Sequence, residues 1–245
     1  MPGIYDSAIR AGQRVIPLLD QAALQHVNLV QRDIEQRFPL FVASLPEQVG
    51  KAPETADDKF ATYTDSTAYF EHLAEGHRDE LTSAFLASAL HISQQPAAHI
   101  CSVTDAGCMF GGSGLVMAMA GIKTTFHDFP GIGLDFIRWY AKEAHIEPYV
   151  ELLPYGAPIH KADLCLALDV LEHTGNHLAT LRWLKQLGQI ICMTYPVSVP
   201  WNYPFDNAKV IDEWVDDEAI GWVLQRRHDV LFTSLHYERR MVIFQ

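Results

Sequence analysis

The sequence predicts an α/β protein: a doubly wound, mostly parallel sheet of seven strands with a C-terminal antiparallel hairpin, preceded by an N-terminal helical cap. Three observations predict this architecture. From residue 99 onward, short apolar segments alternate with segments of helical periodicity. A glycine-rich stretch joins the first apolar segment to the next helix, and two β-like segments close the chain.

The chain changes character near residue 95, which predicts two parts. Residues 1–95 are expected to form a helical segment that contacts the substrate or a second subunit, and residues 96–245 to form the sheet. Apolar residues recur at helical spacing over 5–38, where Pro17 should kink or split the helix. A second helix is predicted over 66–91.

The elements of the sheet follow in order from the alternation of patterns. The fourth strand is nearly all apolar, as expected for a strand buried on both faces. The tail predicts an acidic helix over 207–220 and then two strands within 221–234 and 235–245, which would pair antiparallel at one edge. Before the tail we predict strands over 99–105, 123–129, 149–153, 162–169 and 188–196, and helices over 112–121, 134–146 and 176–187.

A glycine-rich loop with a following acid indicates a nucleoside site. Asp105 ends the first strand, and Gly107 and Gly111 lie between that strand and its helix, where glycine lets backbone N–H groups approach a ligand closely. Asp128 ends the second strand about 20 residues later, the spacing at which a carboxylate accepts ribose hydroxyls. The alternatives are a tight strand-to-helix turn and, for Asp128, a helix cap.

Three motifs resemble those of the class I S-adenosylmethionine (SAM)-dependent methyltransferases, which have a Rossmann-like core. They are Asp105-Ala106-Gly107-Cys108-Met109-Phe110-Gly111, the acid Asp128, and Asp169-Val170-Leu171-Glu172-His173 after the fourth strand. The last motif resembles the small-molecule branch, which includes quinone and natural-product methyltransferases. The resemblance runs from residue 99 to the C-terminus and implies SAM as cofactor. It implies cofactor contacts by Asp105, Gly107, Cys108, Met109, Gly111, Asp128, Phe129, Asp169 and Val170.

The sequence departs from that family at two places. Met109 stands where the family has its middle glycine. The link 154–161 between the third and fourth strands has no Asp, Asn, Glu or Gln, although many members bind the adenine amine there. In the family's strand order the link spans about 20 Å, and eight extended residues reach about 26 Å, so it cannot hold a helix. Adenine would be held by backbone groups or by Tyr155.

Two residues are candidates for catalysis. His173 could take a proton from the acceptor, or it could only line the cofactor pocket. Tyr195 is the second residue of the proline- and aromatic-rich stretch 194–207, which in this fold lies over the methyl group and would exclude water. The alternative for that stretch is a surface loop packed on the N-terminal helices.

Composition argues against several partner classes. With a net charge of −12 and 18 Lys+Arg, the chain is poorly suited to bind nucleic acid or anionic membranes. His72 and His77 do not share a helix face, so no metal site is expected. A secretory signal pattern is missing at the N-terminus, and we expect a cytoplasmic protein with reduced cysteines. The cysteines are Cys101, Cys108, Cys165 and Cys192.

The sequence therefore predicts SAM-dependent methyl transfer to a small molecule, with the acceptor and its O, N or C atom unidentified. One rival is a non-catalytic SAM-binding partner or regulatory subunit. It is favoured by Met109 and by the link 154–161, which has no acidic or amide side chain. A second rival is an NAD-dependent oxidoreductase, which the Asp169–His173 motif and the C-terminal hairpin disfavour. A homodimer through the N-terminal helices is also considered.

Overall fold

A computed structural model describes much of the chain. The described residues are 20–45, 80–95, 99–174, 176–196, 220–221, 223–224, 226, 230–236 and 239–245. Several predictions fall outside them: Pro17 and the first part of the 5–38 helix, most of the 66–91 helix with His72 and His77, and the aromatic stretch after residue 196.

The described helices and strands alternate as the sequence predicts, with shifts of one to three residues at most ends. The helices are α1 (Gln21–Ser44), α2 (Glu80–Gln94), α3 (Gly112–Met119), α4 (Ile132–Glu143) and α5 (His177–Leu187), with short 3₁₀ turns at Glu147–Tyr149 and Leu171–His173. The strands are β1 (Ser102–Ala106), β2 (Lys123–Asp128), β3 (Val150–Pro154), β4 (Ala162–Leu168), β5 (Gly188–Pro196), β6 (Val230–His236) and β7 (Arg239–Phe244).

The strands form one mixed sheet in the order β3-β2-β1-β4-β5-β7-β6. Strands β1 to β5 pair in parallel, whereas β7 is antiparallel to both β5 and β6. The predicted mostly parallel α/β sheet with a C-terminal antiparallel pair is confirmed. Carboxyl ends of the parallel strands meet at one edge, where open α/β sheets bind their ligands.

Each face of the sheet carries its own apolar layer. On one face, α1, α2, α3 and α4 bury residues such as Val27, Leu90 and Phe136 against Val103 and Phe126 of the sheet. On the other face, α5 and the helical residues near 220 bury Leu184 and Leu224, among others. This two-sided covering is the doubly wound arrangement.

The first described helix continues past the predicted end at residue 38. Pro39 lies inside α1, which runs to Ser44. A proline removes one helical hydrogen bond. Here the cost is offset because the apolar stripe continues beyond it: the Phe41 ring lies 5.4 Å from Phe136 and 5.7 Å from Trp139.

The structure corrects the strand predicted near the C-terminus. A strand was expected within 221–234, but the described residues Gly221, Val223, Leu224 and Arg226 are helical, as is Ile220 at the end of the helix predicted over 207–220. Ile220 and Leu224, four positions apart, are both buried in the apolar layer against α5, which favours a helix at this point. The strand β6 begins only at Val230.

The link between β3 and β4 contains no helix, as its length requires. Residues 155–161 turn and then run without regular structure to the start of β4. The amide of Tyr155 donates to the carbonyl of Asp128 at 2.7 Å, and Gly156 has φ +92°. The link therefore stays attached to the end of β2.

Candidate cofactor-binding site

The glycine-rich loop after β1 adopts a left-handed backbone at three positions. Gly107, Met109 and Gly111 have φ of +65°, +50° and +79°. The N–H of Gly107 donates to the carbonyl of His127 on β2 at 2.9 Å. A Cβ on Gly107 would lie 2.9 Å from a methyl of Val170, so glycine is required there for close packing as well as for conformation.

Asp105 lies beneath this loop rather than on its surface. Its side chain is 3% exposed, and Oδ2 accepts the Gly114 N–H at 2.7 Å in the first turn of α3. Burial raises the pKa of this carboxyl to about 7, and the nearby Asp128 adds to the shift. The predicted cofactor residue Asp105 is thus placed to support the loop from below.

Asp128 connects the loop to the end of β2. Its Oδ2 accepts the Met109 N–H at 2.6 Å and its Oδ1 accepts the Phe129 N–H at 2.7 Å. The Cys108 thiol is a further hydrogen-bond partner. Burial raises the pKa of Asp128, although these hydrogen bonds act against the shift. A carboxylate has about four acceptor positions, so at least one remains for a hydroxyl donor.

Met109 occupies the position at which the family motif has its middle glycine, and the loop there has a left-handed backbone. Met109 holds the backbone angle that glycine would favour, and its side chain packs on the apolar layer that contains Phe110. The N–H of Met109 still points to Asp128. The predicted cofactor residues 107–111 and Asp128 are therefore together in one place.

Asp169 and Val170 lie at the same edge, after β4. Asp169 has φ +54°, and its Oδ1 accepts the Thr194 hydroxyl at 2.9 Å. The Asp169 N–H also bonds to Thr194. Sequence reasoning missed Thr194, although its position at the end of a strand next to β4 was the available signal. Val170 packs against Gly107, which joins the two loops.

The two catalytic candidates are in different environments. His173 is half-buried at the end of the 3₁₀ turn after β4. Tyr195 is 1% exposed and packs in the apolar layer with Ile191 and Met193. Its neighbour Thr194, on the opposite face of β5, is the residue that reaches Asp169.

A cluster of aromatic side chains covers the end of β2. Phe129 and Tyr155 were candidates from the sequence, whereas His127 and Trp183 were not. The Tyr155 ring lies 4.7 Å from Phe129 and is 58% exposed. Beneath it, His127 is 2% exposed and contacts Trp183 at 5.4 Å. Burial lowers the pKa of His127, whose Nδ1 has no hydrogen-bond partner among the described residues. Alternation along β2 places His127 on the face opposite to Asp128.

A small cleft separates the N-terminal helices from the loop. It is lined by Gln31 and Glu35 of α1, by Phe110 of the loop and by Ser113 of α3, among others. The N-terminal helices therefore reach the edge of the sheet at which the loop lies.

Within the described ranges, no group of His, Cys, Asp and Glu is arranged to hold a metal ion. None of the helices in those ranges has the length and apolar character needed to cross a bilayer. All four cysteines are free thiols, and Cys101 alone of them is exposed.

Comparison with known proteins identifies the fold. No protein-family model matches the sequence, and no curated protein is recognisably similar to it. Solved structures do match, among them magnesium protoporphyrin IX methyltransferase from Synechocystis PCC 6803 with bound SAM. That structure has a TM-score of 0.55 and 16% identity, with 79% of this chain and 99% of that chain covered.

Two further structures give the same result. The N-terminal domain of EvdMO1 with bound S-adenosylhomocysteine (SAH) has a TM-score of 0.52 at 15% identity, with 87% and 94% covered. Mitomycin 7-O-methyltransferase has a TM-score of 0.50 at 14% identity, and the match spans 73% of this chain but 58% of that one. The chain therefore has the fold of the class I SAM-dependent methyltransferases.

Proposed function

We propose that this protein binds SAM and transfers its methyl group to a small-molecule acceptor. The observation that carries the proposal is the arrangement of Asp128 with the loop 107–111, at the carboxyl edge of a sheet with the methyltransferase fold. Several neighbours in fold contain SAM or SAH. The acceptor atom stays open.

The residues present fit a nucleoside cofactor. Asp128 retains an acceptor position for a ribose hydroxyl, and Gly107 and Gly111 keep side chains away from the loop. Phe129 would contact the base, and Asp169 with Val170 would lie near the methionine part. Bound SAM would supply an electrophilic methyl group, and the protein would position the acceptor in line and exclude water.

We further propose that residues 1–95 help to enclose the acceptor or form a homodimer contact. The packing of α1 beside the glycine-rich loop supports the first role: the Phe38 ring lies 6.4 Å from the Phe110 ring. His173 is proposed as the base for an acceptor that must lose a proton. Tyr195 is the second catalytic candidate by its place near the carboxyl end of β5, although its side chain is 1% exposed. We propose a cytoplasmic location for the protein.

The non-catalytic SAM-binding alternative is favoured by Met109 and by the link 154–161, which has no acidic or amide side chain. The structure weakens the argument from Met109, because its backbone and N–H keep the geometry of the loop. The NAD alternative finds less support, since three of the matching structures contain SAM or SAH.

The first prediction concerns Asp128. Calorimetric titration of the full chain should show binding of SAM and SAH and no binding of NAD. Asp128→Ala should weaken SAM binding roughly tenfold or more, because a hydrogen bond to a charged group contributes about 1.5–3 kcal/mol. Asp135→Ala is the matched control, since Asp135 is an exposed acid on α4 that pairs with Arg138.

The outcomes separate the hypotheses. Unchanged SAM affinity in a folded Asp128→Ala protein would remove Asp128 from the site. Binding of NAD in place of SAM would support the oxidoreductase. Binding of SAM without methyl transfer to any member of a metabolite panel, followed with labelled SAM, would support the non-catalytic alternative.

A further inference from the structure

The part of the site that would face the purine base lacks the usual polar group. The link 154–161 reads Pro-Tyr-Gly-Ala-Pro-Ile-His-Lys and contains no carboxylate or amide side chain. Among side chains, a carboxylate or amide oxygen is a strong acceptor for the exocyclic amine of adenine. The link is also held at the end of β2, because the Tyr155 N–H donates to the Asp128 carbonyl at 2.7 Å.

An aromatic surface takes that place. The Tyr155 ring lies 4.7 Å from the Phe129 ring, at a tilt of 41°, and the tyrosine is 58% exposed. Phe129 directly follows the acid proposed for the ribose. The Phe129 N–H donates to Asp128 Oδ1 at 2.7 Å, and the Phe129 ring lies against Tyr155. A base attached to a ribose at Asp128 would therefore lie beside these two rings, and every purine has a face that can stack on an aromatic ring.

Among the described residues of β2 and β3, the acidic side chains have other partners. Glu151 of β3 accepts the Thr125 hydroxyl at 2.7 Å. Asp128 accepts two backbone N–H groups, and its remaining acceptor position is the one proposed for the ribose. His127 is 2% exposed beneath Tyr155, so its ring does not face an incoming base.

We propose that Tyr155 and Phe129 hold the base by its ring face and that the site does not read the exocyclic amine of adenine. This inference rests on the proposed function. It predicts a relaxed choice of base: a purine with a carbonyl oxygen in place of the amine binds as well as adenine does. A site built to accept the amine would reject such a base strongly, because an acceptor would face an acceptor.

The test compares two ligands on the full chain by calorimetry: SAH and S-inosylhomocysteine, which carries the carbonyl oxygen. We expect dissociation constants within about threefold of each other. Binding of SAH with a loss of more than about tenfold for the inosyl compound would overturn the inference and leave the proposed function intact. Failure of both ligands to bind would overturn the proposed function and this inference with it.

Variants at Tyr155 identify the interaction. Tyr155→Phe retains the ring, and should leave both affinities unchanged. Tyr155→Ala removes the ring and should weaken both ligands by a similar factor, about fivefold to a hundredfold. The exposure of the side chain makes loss of folding a small concern, which thermal unfolding of each variant checks. A selective loss of SAH affinity in Tyr155→Phe would show that the phenol reads the amine, and would overturn the inference.

Discussion

Met109 shows how a single residue can depart from a motif while the backbone keeps it. A left-handed conformation costs a non-glycine residue about 1–2 kcal/mol. Met109 adopts it at φ +50°, donates its N–H to Asp128 and packs its side chain on the apolar layer. The hydrogen bond and the packing offset the strain. The conformation that glycine would favour is therefore a property of the loop and not only of the glycine.

Asp105 gives the second prediction, which concerns stability against pH. Burial raises its folded pKa from the ordinary 3.8 to about 7. The folded protein then binds a proton that the unfolded chain has lost, so stability is highest below about pH 3.8 for this group and decreases as pH rises to about 7. Asp128 is shifted in the same direction. Urea unfolding at a series of pH values measures the effect.

Asp105→Asn should remove most of this dependence, because the amide oxygen can still accept the Gly114 N–H without a charge. The control is Asp163→Asn. Burial would raise the pKa of Asp163, but hydrogen bonds from Cys101 and Ser102 lower it overall, so its contribution has the opposite sign. A pH dependence unaltered by Asp105→Asn would contradict the assignment.

His173 gives the third prediction, on the proton acceptor. If the residue is the base, His173→Ala should lower turnover by about 10²–10⁴-fold with SAM affinity unchanged. The wild-type rate should fall in acid, because a protonated imidazole cannot accept a proton. His160→Ala, at an exposed position of the link, serves as control. A small, equal loss of affinity and turnover with an unaltered pH profile would assign His173 to the pocket wall.

At the scale of elements, α1 docks on the methyltransferase-like core through both apolar and polar contacts. Phe38 lies 5.2 Å from Phe136 and 6.4 Å from Phe110 of the glycine-rich loop. The Tyr140 hydroxyl donates to Asp33 at 2.6 Å. His26 contacts the carbonyl of Val116 near the end of α3 at 3.0 Å. The N-terminal helix is thus connected to the elements that shape the loop.

The fourth prediction tests this docking. Phe38 is 3% exposed, and Phe38→Ala should destabilise the protein by about 3–5 kcal/mol, since it removes a buried ring and leaves a cavity. Leu40 lies two residues away on the same helix and is 62% exposed, so Leu40→Ala should change stability by less than about 0.5 kcal/mol. Urea unfolding of both proteins measures the difference. Equal effects would mean that α1 does not pack on the core in solution.

The elements also show where sequence patterns succeed. The β1 to β5 segments were predicted within a few residues because alternating apolar runs and the glycines at their ends are local signals. The predicted end of the first helix at residue 38 and the predicted strand start at residue 221 were wrong. Burial of Phe41 against Phe136, and of Leu224 against α5, decided the structure at these two places. The sequence around Pro39 or Leu224 does not show which distant residues will pack against it.

At the scale of the whole molecule, the short link without a helix between β3 and β4 decides which side chains lie beside the end of β2. The link 155–161 returns directly from the carboxyl end of β3, and Ile159 packs on the apolar layer on its way. Tyr155 is thereby placed beside Phe129. The short connection thus places an aromatic surface where the base is proposed to bind. This placement is the basis of the fifth prediction, the similar binding of SAH and S-inosylhomocysteine.

The sequence by itself determined the alternation of strands and helices, the glycine-rich loop and the acid Asp128, because periodicity and motif spacing are local. The tertiary structure alone decided which candidates share one place. It joined the loop to Asp128 through the Met109 N–H, put Asp105 beneath the loop and buried Tyr195 in the apolar layer. The reason is physical: hydrogen-bond partners and burial depend on how the sheet brings distant strands side by side, and a single strand's pattern does not contain its neighbours.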